Sequence, residues 1–151
     1  MTVREAWRYS LGGSFALVLP CIAAAGLHFE RISSPTGPPS RVITALARDR
    51  DGLIWIGTIS GVSVYDGNSF TSWAHDPSDP ASLSDDAVRS IYEDSRGTVW
   101  VGTYTGGLNG LNRYTGAFEH FRHDPRDPSS LSHDSVFAIV EDRSGSLWVG
   151  T

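Results

Sequence analysis

One pattern occurs three times in this chain of 151 residues, and it constrains the fold more than any other feature. The copies are ITALARDRDGLIWIGT from residue 43, VRSIYEDSRGTVWVGT from residue 88 and VFAIVEDRSGSLWVGT from residue 136, so the offsets are 45 and then 48 residues. An aspartate, a glycine and a tryptophan never change: Asp49, Asp94, Asp142, Gly52, Gly97, Gly145, Trp55, Trp100 and Trp148. A repeat of this length predicts an array of similar structural units.

Each copy predicts a β-hairpin. In the second copy, the strand-like VRSIYE precedes the turn DSRG, where Gly97 can adopt the positive φ of a tight turn. The following TVWVGT is β-branched and aromatic, which favours a second strand. Two more strand-like segments follow, at 61–67 and 69–75 in the first repeat and at 107–116 and 117–123 in the second. Four short antiparallel strands per repeat are typical of a β-propeller blade.

We therefore expect an all-β fold made of four-stranded antiparallel propeller blades. The first blade would cover residues 41–84, the second 85–132, and residues 133–151 would form the first half of a third. A closed propeller has about four to eight blades, so an incomplete ring of about two and a half blades predicts a fragment of a longer protein. The alternative is a short subunit that completes a ring by assembling copies. Gly110-Leu111 looks like an insertion in the second blade.

The repeats are joined by a segment that also recurs, HDPSDPASLS from His75 and HDPRDPSSLS from His123. Its prolines end the preceding strand, and its aspartates can accept hydrogen bonds from turn amides, so we interpret it as the connection between blades. The competing interpretation is a metal site, because histidine and aspartate bind divalent metals. The candidate ligands are His75, Asp76 and Asp79, with their copies His123, Asp124 and Asp127. We expect no metal and no cofactor.

The aromatic residues of the repeats fall into two groups, one with a predicted role in packing and one with a predicted role in recognition. The tryptophan of each repeat lies within a strand among β-branched neighbours, which predicts packing between adjacent blades. Recognition is expected where the copies differ, because variable turns on a rigid scaffold usually carry function. The turn TISG of the first repeat becomes TYTGG in the second. Tyr104 and Thr105 in that turn are our candidates for facing a ligand.

The N-terminal part of the chain differs from the repeats. MTVREAWRYSLGGSFALVLPCIAAAG has an arginine-containing start, an uncharged run and small residues before Gly26, which predicts a secretory signal peptide over residues 1–25. The alternative is an uncleaved membrane anchor helix. Residues 26–40 read as an extended segment that leads into the first blade. The sole cysteine, Cys21, lies in the predicted signal peptide.

Charge excludes one class of partner. The formal net charge is −5, the chain contains no lysine, and its 12 basic residues form no cluster. Nucleic-acid-binding proteins carry a basic patch or stripe, so no nucleic acid is expected as a partner.

SIYEDSRGTVWVGTYTGGLN, HDPRDPSSLS and VEDRSGSLWVGT resemble two-component regulator propeller repeats, and the resemblance extends over residues 29–151. It implies a ligand-sensing propeller at the periplasmic side of the inner membrane, in a bacterial receptor for signal transduction. It further implies a small-molecule ligand, with oligosaccharides common, and a homodimer as one assembly of the full receptor. A transmembrane helix and an output domain, a histidine kinase or a diguanylate cyclase, would lie elsewhere in such a protein.

Two other classes of propeller were weighed. A sialidase-type hydrolase carries an acidic residue two positions before the turn glycine, where this chain has Arg50, Ser95 and Arg143. No pair of acids suited to glycoside cleavage stands out, so this chain is not expected to be an enzyme. A secreted propeller that binds proteins or glycans without signalling output is the remaining alternative.

Overall fold

The computed structural model describes residues 37–151, which form ten β-strands. The strands are β1 (Ile43–Arg48), β2 (Ile54–Thr58), β3 (Gly61–Tyr65), β4 (Phe70–Trp73), β5 (Val88–Glu93), β6 (Val99–Thr103), β7 (Leu108–Leu111), β8 (Phe118–Phe121), β9 (Ala138–Glu141) and β10 (Leu147–Gly150). Within residues 37–151, no helix is long and apolar enough to cross a membrane. The predicted signal peptide or anchor and the start of the extended segment lie outside the described residues.

The strands form three antiparallel sheets in which neighbours in sequence are neighbours in space. The first sheet has the order β1-β2-β3-β4, the second β5-β6-β7-β8, and the third contains β9 and β10. The predicted all-β architecture of four-stranded antiparallel units is confirmed. The described residues form two complete units and one hairpin, and they do not close a ring.

The sheets fan out from a common inner edge. The first strands of successive sheets contact one another, β1 with β5 and β5 with β9. The fourth strands, β4 and β8, lie at the outer edges of their sheets. This arrangement places the start of each first strand and the turn between the second and third strands at the same end of the fan, because Val88 pairs with Thr103.

The main hydrophobic core lies between the first two sheets. Strands have a side-chain period of two, so Trp55 and Val62 of the first sheet point toward the second, from which Val99, Val101 and Phe118 point back. All five side chains are buried, and each contributes roughly 1.5–3 kcal/mol of hydrophobic stabilisation.

Glycines in the second strand of each sheet allow the next sheet to approach closely. A Cβ atom on Gly57 would lie 2.6 Å from Cγ1 of Val88, and one on Gly102 would lie 2.5 Å from Cγ1 of Val136. Both distances are far shorter than a van der Waals contact. The repeated glycine of the WIGT and WVGT segments is therefore a packing requirement of the fan.

The second repeat is three residues longer than the first, and the extra residues lie in two turns. The turn between Thr103 and Gly107 has one residue more than the turn between Thr58 and Gly61. The turn over 112–117 has two residues more than that over 66–69. The inserted residues are thus not Gly110 and Leu111, which pair in regular register with β6 and β8.

The longer turn over 112–117 supplies Arg113, which joins the first two sheets. Its Nη2 lies 3.1 Å from Oδ2 of Asp49 in the first sheet and 3.0 Å from Oε1 of Glu93 in the second. Its guanidinium also lies over the ring of Trp55, 5.6 Å from the ring centroid. The side chain of Asp49 is fully buried. The guanidinium of Arg113 therefore compensates the desolvated negative charge of this carboxylate.

A matched pair of glycine variants tests the close approach of the sheets. Gly102→Ala places a methyl group against Ser90 and Val136 and is expected to lower the free energy of unfolding by about 1–3 kcal/mol. Gly150→Ala alters the equivalent position of the third sheet, where the Cβ atom meets only Ala138 at 3.4 Å, and is expected to leave stability near wild type. Urea denaturation followed by tryptophan fluorescence measures both. Equal losses would contradict the packing argument.

Removal of the Arg113 side chain tests the ionic link. Arg113→Ala leaves the buried Asp49 carboxylate without its cation and is expected to cost about 2 kcal/mol of unfolding free energy. Arg126→Ala, in the exposed segment between β8 and β9, is the control and is expected to change little. The same urea titration compares them, and an Arg113→Ala variant as stable as the control would show that the link does not stabilise the fan.

Candidate functional site

The nine repeat residues form three copies of one hairpin clamp, defined as the aspartate, glycine and tryptophan of each copy. In the second hairpin, Oδ1 of Asp94 accepts hydrogen bonds from the N–H groups of Arg96 and Thr98 at 2.9 and 2.8 Å. Its Oδ2 accepts the indole N–H of Trp100 at 2.9 Å, and Gly97 closes the turn at a φ of +89°. Asp49 and Asp142 accept equivalent bonds in their own hairpins.

The environment of the clamp aspartates favours their charged form. Burial disfavours the charge of Asp49 and Asp94, but hydrogen bonds from their tryptophans and turn amides outweigh it and hold the pKa of both carboxyls below the ordinary value. Hydrogen bonds from Ser144 and Trp148 likewise lower the pKa of Asp142. A carboxylate whose two oxygens both accept hydrogen bonds in this way maintains the geometry of the turn.

The three clamp tryptophans lie on the same face of their respective sheets, and their burial depends on whether another sheet packs on that face. Trp55 is 3% exposed beneath the second sheet, whereas Trp148 is 65% exposed. Trp148 is exposed because no sheet follows the third one among the described residues. Trp100 has intermediate exposure and contacts Phe121, with ring centroids 5.6 Å apart.

The repeated connecting segments satisfy their own polar groups. Nδ1 of His75 lies 2.8 Å from the carbonyl oxygen of Leu83, and Asp76 accepts hydrogen bonds from both the N–H and the hydroxyl of Ser78. In the His123 segment, Nδ1 lies 2.6 Å from the carbonyl oxygen of Leu131, and Asp124 accepts the N–H of Arg126. Oδ1 of Asp79 accepts the N–H of Ala81, and Oδ1 of Asp127 that of Ser129. Across residues 37–151, no group of three or more histidine, cysteine or acidic residues is placed to hold a metal ion.

The two candidate ligand-facing residues belong to a cluster that we call the turn site: Asp85, Arg89, Tyr104, Thr105 and Phe137. Tyr104 is 46% exposed and Phe137 is 56% exposed. Their rings meet edge to face with centroids 6.5 Å apart. The guanidinium of Arg89 lies over the ring of Tyr104, 4.8 Å from the ring centroid. The turn site therefore presents aromatic surface beside a cation. It lies at the end of the fan that holds the turns between the second and third strands.

A β-bulge positions Arg89. The register between β5 and β6 shifts between Val88 and Ser90, which leaves Arg89 out of the regular pairing. Bulges re-aim a side chain relative to the sheet, and here they direct the arginine toward the turn. The Nε atom of Arg89 is buried and has no hydrogen-bond partner among the described residues. Buried donors are nearly always satisfied by protein, water or a bound group, and this one has no protein partner within residues 37–151.

Asp85 fixes the conformation of the turn. Its Oδ2 accepts hydrogen bonds from the N–H and the hydroxyl of Thr105, at 2.8 and 2.9 Å. Burial works against ionisation of Asp85, but these bonds and that from the N–H of Ala87 prevail, and the pKa of the carboxyl lies below its ordinary value. The N–H of Tyr104 donates to the carbonyl of Ala87 at 2.9 Å. These hydrogen bonds together fix the conformation of the turn.

A concavity of about 850 Å³ lies at the end of the fan opposite the turn site. Its charged lining includes Arg50, Glu93 and Arg113. These groups are paired with one another or with Asp49 across the two sheets. The ion pairs across the two sheets thus occupy part of the charged lining of this concavity.

The model of the two-component regulator propeller family matches residues 37–60, 82–105 and 130–151, which contain the three hairpin clamps. The chain belongs to this family. The matched ranges also include Arg89, Tyr104 and Thr105. They exclude the turn over 112–117, so Arg113 lies in a part of the repeat that the family does not define. The sequence has no significant match among curated proteins.

Solved structures share the arrangement of this regulator propeller. The extracellular domain of BT3049 from B. thetaiotaomicron, assigned as a hybrid two-component system, is 25% identical with a TM-score of 0.72 over 81% of this chain. That of BT4673 from the same organism is 26% identical with a TM-score of 0.59 over 73%. The chain spans only 17% and 15% of those two proteins. Virginiamycin B lyase from Staphylococcus aureus, 19% identical with a TM-score of 0.51 over 72% of this chain and 34% of its own, shares the fold alone.

The sequence analysis named Tyr104 and Thr105 as candidates but did not name Arg89 and Phe137, which contact Tyr104 in the structure. Arg89 occupies the position of Thr44 in the first repeat and of Phe137 in the third. This column of the repeat alignment varies in chemistry while its flanking columns stay apolar or small. That variation was the available signal for a recognition residue at this position. The bulge that directs Arg89 toward Tyr104 could not be seen in the sequence.

The clamp predicts how stability depends on pH. Because the pKa values of Asp49 and Asp94 are lowered in the folded chain, their stabilisation is fully present above the unfolded pKa of about 3.9 and is lost as pH falls through the lower folded values. Thermal unfolding between pH 7 and pH 2 should therefore show a falling midpoint below about pH 4. Asp94→Asn should lower the midpoint at pH 7 and flatten the acid dependence. A variant profile parallel to that of wild type would contradict this role of Asp94.

Proposed function

We propose that this chain is part of the ligand-sensing propeller of a bacterial transmembrane receptor, and that the ligand binds at the turn site. The family and the extracellular domains of the two hybrid two-component systems support a sensor-type propeller on the extracytoplasmic side of a membrane. The observation that carries the site is the exposed cluster of Arg89, Tyr104 and Phe137, with a buried donor on the arginine that has no partner among the described residues.

An oligosaccharide is the ligand class that we propose. Aromatic faces pack against the C–H faces of sugar rings, and a guanidinium donates hydrogen bonds to ring and hydroxyl oxygens. The turn site offers both within one cluster, and Thr105 is held in place by Asp85. A preordered site loses less conformational entropy when it binds. The first repeat has Ile59 in the equivalent turn, so the two turns would contribute differently to recognition.

Signalling output would come from another part of a longer protein. The chain spans a small share of the two sensor proteins that it resembles. We propose that a histidine kinase or a diguanylate cyclase supplies the output in the whole receptor. In this scheme the described residues bind and transmit the presence of a ligand, and they carry out no reaction.

Binding measurements on turn-site variants test the proposal. Isothermal titration of the chain with a panel of oligosaccharides should identify at least one that binds. Tyr104→Ala and Arg89→Ala should each weaken that binding by about tenfold or more, because aromatic and charged contacts of this kind are worth about 1–3 kcal/mol. Tyr114→Ala is the matched control, since Tyr114 is fully exposed in the turn at the other end of the fan.

Two results would overturn the proposal. One is an affinity of the Tyr104→Ala variant equal to that of wild type and of Tyr114→Ala, which would place the ligand elsewhere. The other is binding to a protein partner with no binding to any oligosaccharide of the panel, which would favour a scaffold function for this propeller.

A further inference from the structure

Successive sheets are joined by a contact that repeats at both junctions, which we call the turn seam. It links the residue after the clamp aspartate of one sheet to the residue before the clamp aspartate of the next. At the first junction, the N–H of Arg50 donates to Oε2 of Glu93 at 2.7 Å, and its Nε donates to Oε1 at 3.1 Å. At the second, the N–H and hydroxyl of Ser95 donate to the two carboxylate oxygens of Glu141, each at 2.6 Å.

The turn seam therefore follows a donor-to-acceptor rule. At the leading position, Arg50 and Ser95 each supply a backbone N–H and a side-chain donor. The third sheet has Arg143 at this position. The receiving position of the next sheet supplies a carboxylate that accepts both. Hydrogen bonds in which the acceptor is charged are about twice as strong as neutral ones. The rule thus contributes to the order in which sheets pack as well as to their stability.

The first sheet breaks this rule at its receiving position, which is Arg48 in place of a glutamate. Arg48 pairs with Ile54 in the sheet register and shares its face with Leu46. This back face of the first sheet is open among the described residues: Leu46 is 69% exposed and Ile54 is 36% exposed. An arginine here can donate to a neighbouring turn but cannot accept its N–H.

The forward face of the third sheet is open as well. Trp148 and Val140 pair with each other on it and are 65% and 54% exposed. Its leading position is Arg143. If a second copy of the chain packed its third sheet against this first sheet, Arg143 would meet Arg48 at the turn seam. Two cations would then replace the arginine–glutamate pair seen at the first junction.

We infer that the back face of the first sheet docks a propeller blade whose hairpin carries an acidic side chain at the leading position, and that Arg48 disfavours a second copy of this chain in that place. The inference rests on the proposed function only in treating the chain as part of a ring. Charge complementarity selects the occupant, because a carboxylate on the incoming turn would restore the ion pair of the seam with its polarity reversed. Apolar contact with Leu46 and Ile54 would supply the remaining attraction.

Charge-reversal variants of the chain itself test the inference. Arg143→Glu gives the third sheet an acidic leading position and should strengthen head-to-tail association through Arg48. Arg48→Glu should also strengthen it, by rebuilding the seam of the first junction with Arg143 as donor. Each single variant should self-associate about tenfold more tightly than wild type in sedimentation velocity at low salt. The double variant Arg48→Glu/Arg143→Glu should return to the wild-type level, because two carboxylates would then meet.

Controls separate the seam from general charge effects. Arg126→Glu makes the same change of net charge in the exposed segment between β8 and β9 and should leave association as in wild type. The gain of the single variants should shrink in 1 M NaCl, where the screening length falls to about 3 Å. Circular dichroism and thermal unfolding verify that each variant is folded.

Two outcomes would overturn the inference. Wild type that associates as tightly as the single variants would show that Arg48 does not discriminate. Single variants that associate no more tightly than wild type and Arg126→Glu would show that the seam does not control docking. Neither outcome bears on oligosaccharide binding at the turn site, which lies at the other end of the fan, so failure of this inference is distinguishable from failure of the proposed function.

Discussion

The aspartate of the hairpin clamp is the constraint on which the rest of the fan depends. Asp49 and Asp94 each accept three hydrogen bonds, two from turn amides and one from an indole. These bonds fix the turn, and they also fix the tryptophan on the face that the next sheet covers. The same carboxylate thereby connects local geometry to the packing of sheets. Asp49 also forms an ion pair with Arg113 of the following sheet. Loss of the Asp49 side chain would therefore affect both the turn and the packing of the two sheets.

The clamps and the turn seams explain why the repeat recurs with so few invariant residues. A clamp needs its aspartate, glycine and tryptophan, and close approach needs a glycine in the second strand. The seam needs a donor in one turn and an acceptor in the next strand. Many other positions differ between the copies, and the turns between the second and third strands are among them. Tyr104 and Ile59 occupy equivalent turns on a shared frame, so the frame is separate from the residues that we propose to recognise a ligand.

Much of the fold could be predicted from the sequence, because the repeats align strand with strand and the turn glycines mark the hairpins. The limits of the prediction have physical causes. Which residues form an insertion depends on register, and Gly110 and Leu111 lie in a regular strand while the extra residues lie in the turn that carries Arg113. The direction of Arg89 depends on a bulge that leaves no signature in composition.

An NMR titration tests most directly whether an invariant frame of clamps holds a variable turn in place for a ligand. The chain, labelled with ¹⁵N, would be titrated with the tightest-binding oligosaccharide of the panel while backbone amides and tryptophan indoles are followed. We predict that the shifts concentrate at the amides of Arg89, Tyr104 and Thr105 and that the indole signals of Trp55 and Trp100 stay in place. Shifts centred on those indoles, or on the connecting segments at His75 and His123, would contradict the account.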